Sequence, residues 1–195
     1  MPRIDADNIE EHVRKQNERI LAAADQLFNE RGYRGTDMGE IARSIGLARN
    51  SLYRYYPSKD HILIACVKRG MADSLARFGS IRDDIDDPVR RIDAWLDLQM
   101  EVALGPCHAT MQMVGEVPDS SSELRSEIMA LHNVPNAVLD QAICEAVRGT
   151  DRDPTLLARM IAGMVQAAAR LAIDSGESTA ITRQLKDSVA AILRA

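Results

Sequence analysis

Apolar residues recur along this chain at three- and four-residue spacing, and no run alternates convincingly with period two. The pattern therefore predicts helices throughout and no sheet. The first helix spans about residues 8–31, with Ile20, Ala23, Ala24, Leu27 and Phe28 on one stripe and Gly32 directly after it as a stop. Thr36 precedes Asp37-Met38-Gly39-Glu40, a capping-box pattern opening a short helix with Ile41, Ala42 and Ile45 inward and Gly46 at its end. A second short helix is expected from about Ala48 to Tyr55, where Pro57 prevents continuation. Ser58 caps a long amphipathic segment. Asp87-Pro88 and Asp153-Pro154 each set an N-cap before a proline at the first helical position. The first opens a helix to about Leu104, broken by Gly105-Pro106, and the second opens one to Asp174. Between them lie a short apolar piece, a loop from Pro118 to Ser122 and a helix to about Gly149 with a kink expected near Pro135. A last helix begins at Ser178. About nine helices and no sheet make an all-α fold.

The chain has 195 residues, 46% hydrophobic and 27% charged, which fits a globular core and neither disorder nor a collagen-like fibre. No stretch approaches the roughly 18 apolar residues of a membrane span. The start MPRIDADNIEEH lacks the apolar core of a signal peptide. Cys66, Cys107 and Cys144 are widely spaced and odd in number, so a reducing cytoplasm without a disulfide framework is expected. The formal net charge of -5 is unevenly spread. Residues 31–70 carry 8 Lys/Arg against 3 Asp/Glu, while residues 71–195 carry 12 against 19. A locally basic module on an acidic body suits a polyanionic partner without general adhesion to anionic surfaces.

That basic stretch contains TDMGEIARSIGLARNSLYRYY, residues 36–56. Two short helices about a glycine turn, with small Ala42 where they cross, fit a helix-turn-helix. The second helix opens on Arg49, Asn50 and Ser51, placed for a major groove, where arginine and asparagine pair bidentately with guanine and adenine edges. Tyr53, Tyr55 and Lys59 offer donors suited to phosphates.

Residues 19–69 resemble the DNA-binding domain of TetR-family transcriptional regulators. The resemblance rests on Ala23 and Phe28, Gly32-Tyr33, Thr36, Ile41-Ala42, Gly46-Leu47, Leu52-Tyr53, Tyr55-Tyr56 and Ser58-Lys59. It implies a three-helix DNA-binding domain over residues 1–57 and a helical effector-binding and dimerisation domain over residues 58–195. It also implies DNA contacts from Thr36, Met38, Arg49, Asn50, Ser51, Tyr53, Arg54, Tyr55 and Lys59. Asn50 stands where the family often has glycine, so an operator sequence does not transfer from relatives.

On the same resemblance, the body encloses a small-molecule inducer and its last two helices pair in a homodimer. The candidate pocket is Trp95, Leu98, Met100, Cys107, His108, Met111 and His132, methionines being suited to adaptable apolar cavities. The candidate dimer surface is Leu157, Ile161, Met164, Ala168 and Leu171 with Ile181, Leu185, Val189 and Ile192, the alternative being core of the same chain. No metal-ligand spacing, phosphate-cradling glycine loop or glycine-flanked serine is found, so neither an enzyme nor a cofactor is expected. The expected function is a one-component regulator, a repressor on a palindromic double-stranded operator released by a small molecule. The alternative is an activator or a ligand-independent DNA-binding protein.

Overall fold

The computed structural model describes residues 6–106, 108–117 and 122–194. Among them are nine α-helices and one 3-10 turn, with no strand. The chain divides into two compact units, Met1–Gly70 with Ala109–Ile128, and Met71–His108 with Met129–Ala195. The sequence boundary at 57/58 thus differs from the structural one. The first unit keeps the start of the fourth helix and takes in a segment from the middle of the chain.

The first unit comprises α1 (Ala6–Arg31), α2 (Met38–Ser44), α3 (Arg49–Leu52) and the opening turns of α4 (Lys59–Asp84). It also contains most of α6 (His108–Met113), the 3-10 turn Val114–Glu116 and the first residues of α7 (Ser122–Ala146). Its core is the predicted α1 stripe, Ile20, Ala24, Leu27 and Phe28, closed by Ile41, Ala42, Leu52, Ile62 and Leu63. Met113, Val114 and Val117 pack on that core. Polar contacts fasten the same segment. The buried Thr110 hydroxyl donates to Asp25 at 3.2 Å, Arg34 pairs with Glu116 at 3.2 Å, and Lys68 pairs with Glu127 at 2.8 Å.

The second unit contains the rest of α4, α5 (Pro88–Leu104), most of α7, α8 (Pro154–Ser175) and α9 (Ser178–Arg194). Both Asp-Pro signals act as read. Asp87 accepts from the amides of Val89 and Arg90, and Asp153 from those of Thr155 and Leu156. Pro135 lies inside α7, where it removes an amide from the helical ladder. The Trp95 indole donates to the Pro135 carbonyl at 2.8 Å from the middle of a core that includes Phe78, Ile92, Leu96, Val138, Ile143 and Val165. Buried Arg91 pairs with Glu145, and Arg152 donates to the carbonyls of Ile192 and Leu193 at the end of α9.

Two expectations about α8 and α9 change. Leu157, Ile161, Ala168, Leu185 and Val189 are buried in the core of their own chain, and Met164, Ile181 and Ile192 pack against it. Of the expected dimer residues only Leu171 is well exposed, at 59%. α8 carries a second apolar set, Leu156 and Met160, that stays exposed, while the core takes Leu157 and Ile161. α8 is also long and apolar enough, by length and composition, to cross a membrane, contrary to the sequence reading. Its apolarity has a local cause, because one face builds the core while Leu156, Met160 and Leu171 stay outside.

Replacing Trp95 by Phe leaves the Pro135 carbonyl buried without its donor. The expected loss of stability is about 1–3 kcal/mol in urea denaturation. Unchanged stability would show that the indole bond contributes nothing.

Candidate nucleic-acid interface

The site begins with the turn between α1 and α2. Thr36 is 1% exposed, and its hydroxyl donates to the carbonyls of Gly32 (2.9 Å) and Leu27 (3.2 Å). The Lys59 ammonium donates to the carbonyls of Tyr33 (2.7 Å) and Thr36 (3.0 Å) and lies 4.1 Å from the Tyr33 ring centroid. The Tyr33 hydroxyl donates to Asp60, and burial together with that carboxylate pushes the phenol above its ordinary range.

This turn delivers the N-cap of α2, which is Asp37. Its carboxylate accepts from Gly39 N (2.6 Å) and Glu40 N (3.0 Å), and Glu40 accepts from Asp37 N, completing the box. Those amide bonds, led by that of Glu40, hold the Asp37 carboxyl below the usual carboxylate range. Arg31 pairs with Glu40 at 2.7 Å, tying the end of α1 to the start of α2. At the other end, Arg19 donates to the Ile45 carbonyl at 3.0 Å. Gly46 then turns the chain at φ 72°, in the left-handed region that favours glycine.

α3 is shorter than the spacing suggested. The helix itself ends at Leu52; Tyr53 N still bonds the Arg49 carbonyl, and Arg54 N and Tyr55 N bond three residues back, to Ser51 and Leu52. The tightened turn takes the chain to Pro57, which cannot continue a helix. Arg49, Asn50 and Arg54 are exposed, Tyr53 is 42% exposed, and Ser51 is half-buried. Arg49 Nη2 donates to the Tyr53 hydroxyl at 3.2 Å, and its guanidinium carbon stands 5.8 Å from the ring centroid. Exposed Arg43 adds a further cation at the end of α2. The face therefore presents arginine and amide donors with their side chains in solvent, as a groove-reading surface requires.

The structure divides the expected DNA contacts into two groups. Arg49, Asn50, Ser51, Tyr53 and Arg54 gather on the turn that opens with α3. Thr36 and Met38 are buried, and Tyr55 packs against the core of the unit. The Lys59 ammonium is engaged with backbone carbonyls rather than standing free for a phosphate. Thr36 and Met38 thus lie inside the unit, and half-buried Lys59 gives two of its three ammonium donors to the turn. Sequence reasoning missed Arg19, Arg31 and Gly39; the Arg31–Glu40 pair had a signal in its opposite charges flanking a cap.

Trp95, Leu98 and Met100 are buried core residues of the second unit. Met100 edges a groove of about 550 Å³ between α5 and α9, and Leu98 edges one of about 390 Å³ between α4 and α5. His108 and His132 belong to the second unit and Met111 to the first, while Cys107 lies outside the described residues. Cys66 is buried, its thiol pushed up to about 12 by desolvation, so it is a core residue and not a reactive one. Among the described residues no cluster of His, Cys, Asp or Glu could hold a metal ion.

The Lys59→Met variant is expected to lower stability by about 1–3 kcal/mol while leaving the slope of DNA affinity against salt unchanged. A slope smaller by about one with unchanged stability would make Lys59 a phosphate contact instead.

A model of the family described as "Bacterial regulatory proteins, tetR family" matches residues 20–66, the segment from α1 into α4 that builds this site. The HTH-type transcriptional regulator RutR of Escherichia coli (strain K12) is 28% identical over 131 residues, 65% of this chain and 61% of that protein. The chain thus matches less than two thirds of that relative's length. Among solved structures, a TetR/AcrR-family transcriptional regulator from Thermobifida fusca YX-ER1 shares the fold at a TM-score of 0.73 and 23% identity, covering 90% of this chain and 96% of that one. FadR from Bacillus subtilis, in complex with stearoyl-CoA, shares it at a TM-score of 0.69 and 21% identity, covering 90% and 96%. Over residues 20–66, its helix-turn-helix head, this chain is similar to the tetR family of bacterial regulatory proteins.

Proposed function

We propose that this chain is a repressor that binds a palindromic operator as a homodimer and leaves it when a small molecule binds the body. The observation that carries the DNA half is the exposed set on α3 and the turn after it, Arg49, Asn50, Tyr53 and Arg54, standing on a capped and fastened scaffold. One four-residue helix reads too few base pairs for useful discrimination, so two heads on two half-sites are needed.

The surface we assign to the dimer is the outer face of α8 and not the stripe the sequence suggested. Leu156 (56% exposed), Met160 (49%) and Leu171 (59%) stand outside with Gly163 and Ala167 between them. The spacing follows one helical stripe, and the small residues let a second helix approach closely. The effector half rests on the family and on the FadR neighbour, whose complex with stearoyl-CoA is the property of that protein. The ligand class does not transfer at that identity.

In this account effector binding favours a state in which two heads no longer match two half-sites. Coupling is then reciprocal, with effector weakening operator binding by the same factor as operator weakens effector binding.

The test is selection of duplexes from a random pool on the full chain. A palindromic consensus bound by two chains, with affinity falling steeply with salt, is expected. No enrichment, or a consensus without symmetry, would contradict the operator reading. For the dimer face, Met160→Asp is expected to give a monomer by sedimentation and to lower operator affinity more than about tenfold, because one half-site contact is lost. A dimer that persists in Met160→Asp would place the interface elsewhere.

A further inference from the structure

Arg49 is constrained on more than one side. A Cβ built on Gly39 would stand 3.8 Å from Arg49 Cδ, an ordinary van der Waals distance, so the Arg49 stem lies alongside the start of α2. Beyond the stem, the guanidinium lies over the Tyr53 ring and donates to its hydroxyl, four residues further along the chain. The hydroxyl accepts in this bond, so its own proton is free for a phosphate or water. Arg49 uses one of its five N–H groups here, and four remain for a partner.

We infer that Tyr53 is a positioning residue for base readout. By offering its ring face 5.8 Å from the guanidinium carbon and accepting its hydrogen bond, it holds the guanidinium aimed for bidentate contact with a guanine edge. This deepens the operator reading above and rests on it. The physical reason is entropy. An arginine side chain has wide rotamer freedom, and a fork already held in place loses less of it on binding. A phosphate contact by Tyr53 strengthens binding to every sequence alike, whereas a positioning role acts only at the base that Arg49 reads. The two roles therefore differ in what they change.

The experiment uses the full chain and its selected duplex, with a panel in which each base pair of one half-site is replaced in turn. Arg49→Ala identifies the position that Arg49 reads, as the one where discrimination falls by about tenfold or more. Tyr53→Ala is expected to lose most of the discrimination at that same position. Tyr53→Phe, which keeps the ring and removes the hydroxyl, should lose part of it. The double variant Arg49→Ala/Tyr53→Ala should discriminate no worse than Arg49→Ala alone, because the two act as a unit. Thermal melting controls for folding, and Tyr53→Phe carries the test if Tyr53→Ala melts early.

An equal loss on every duplex with discrimination preserved in both Tyr53 variants would overturn the inference and leave Tyr53 a phosphate contact. Losses that add fully in the double variant would overturn it as well. A wild-type chain that selects no consensus overturns the operator reading itself, and this inference with it.

Discussion

The Lys59 ammonium is set into the turn between α1 and α2, bonded to the carbonyls of Tyr33 and Thr36 and resting on the Tyr33 ring. The six residues between α1 and α2 have backbone groups that no helix satisfies, and a cation placed among them supplies charge-assisted donors. Thr36 adds its hydroxyl to the carbonyls of Gly32 and Leu27, so the turn is held from α4 and from within. The Asp37 cap follows at once, and α2 starts from a fixed point. Arg31 and Arg19, both on α1, then hold the two ends of α2. Gly46 sets α3 against it, and the direction of Arg49 and Asn50 follows from the whole series. A recognition turn with one four-residue helix has little rigidity of its own, which is why the fastening of its neighbours matters.

What the sequence revealed were features governed by local chemistry. Asp87-Pro88, Asp153-Pro154, the Asp37–Glu40 box and the Gly46 turn each act within a few residues, and each lies where it was read. The helix-turn-helix was legible for the same reason, reinforced by fixed offsets. The direction a side chain faces was less legible. Thr36 and Lys59 have donors that suit phosphates equally well, and only the folded turn shows those donors bound to carbonyls. Contacts far apart in sequence were hidden too. Thr110 meets Asp25 across 85 residues, and nothing near either residue announces that residues 109–128 join the head.

α8 shows a different kind of ambiguity. Leu156 and Leu157 are neighbours about 100° apart around the helix, as are Met160 and Ile161, so two apolar stripes run side by side. Periodicity alone cannot assign one to the core and one to a partner. Packing decides it, since Leu157 and Ile161 meet the residues of α5, α7 and α9 in one cluster. The exposed stripe that remains also explains why the helix carries more apolar surface than its own core uses. The methionines and Trp95 of the body were open to the same ambiguity, and the core accounts for Trp95, Leu98 and Met100.

The central claim is a division of labour, in which Lys59 and Thr36 fasten the scaffold and Arg49 reads from outside. A crystal structure of the full chain on its selected duplex tests it most directly. The account predicts the Arg49 guanidinium on a base edge in the major groove, still against Tyr53, with the Lys59 ammonium bonded to the Tyr33 and Thr36 carbonyls. A Lys59 ammonium turned out to a phosphate, with Arg49 in solvent, would contradict it.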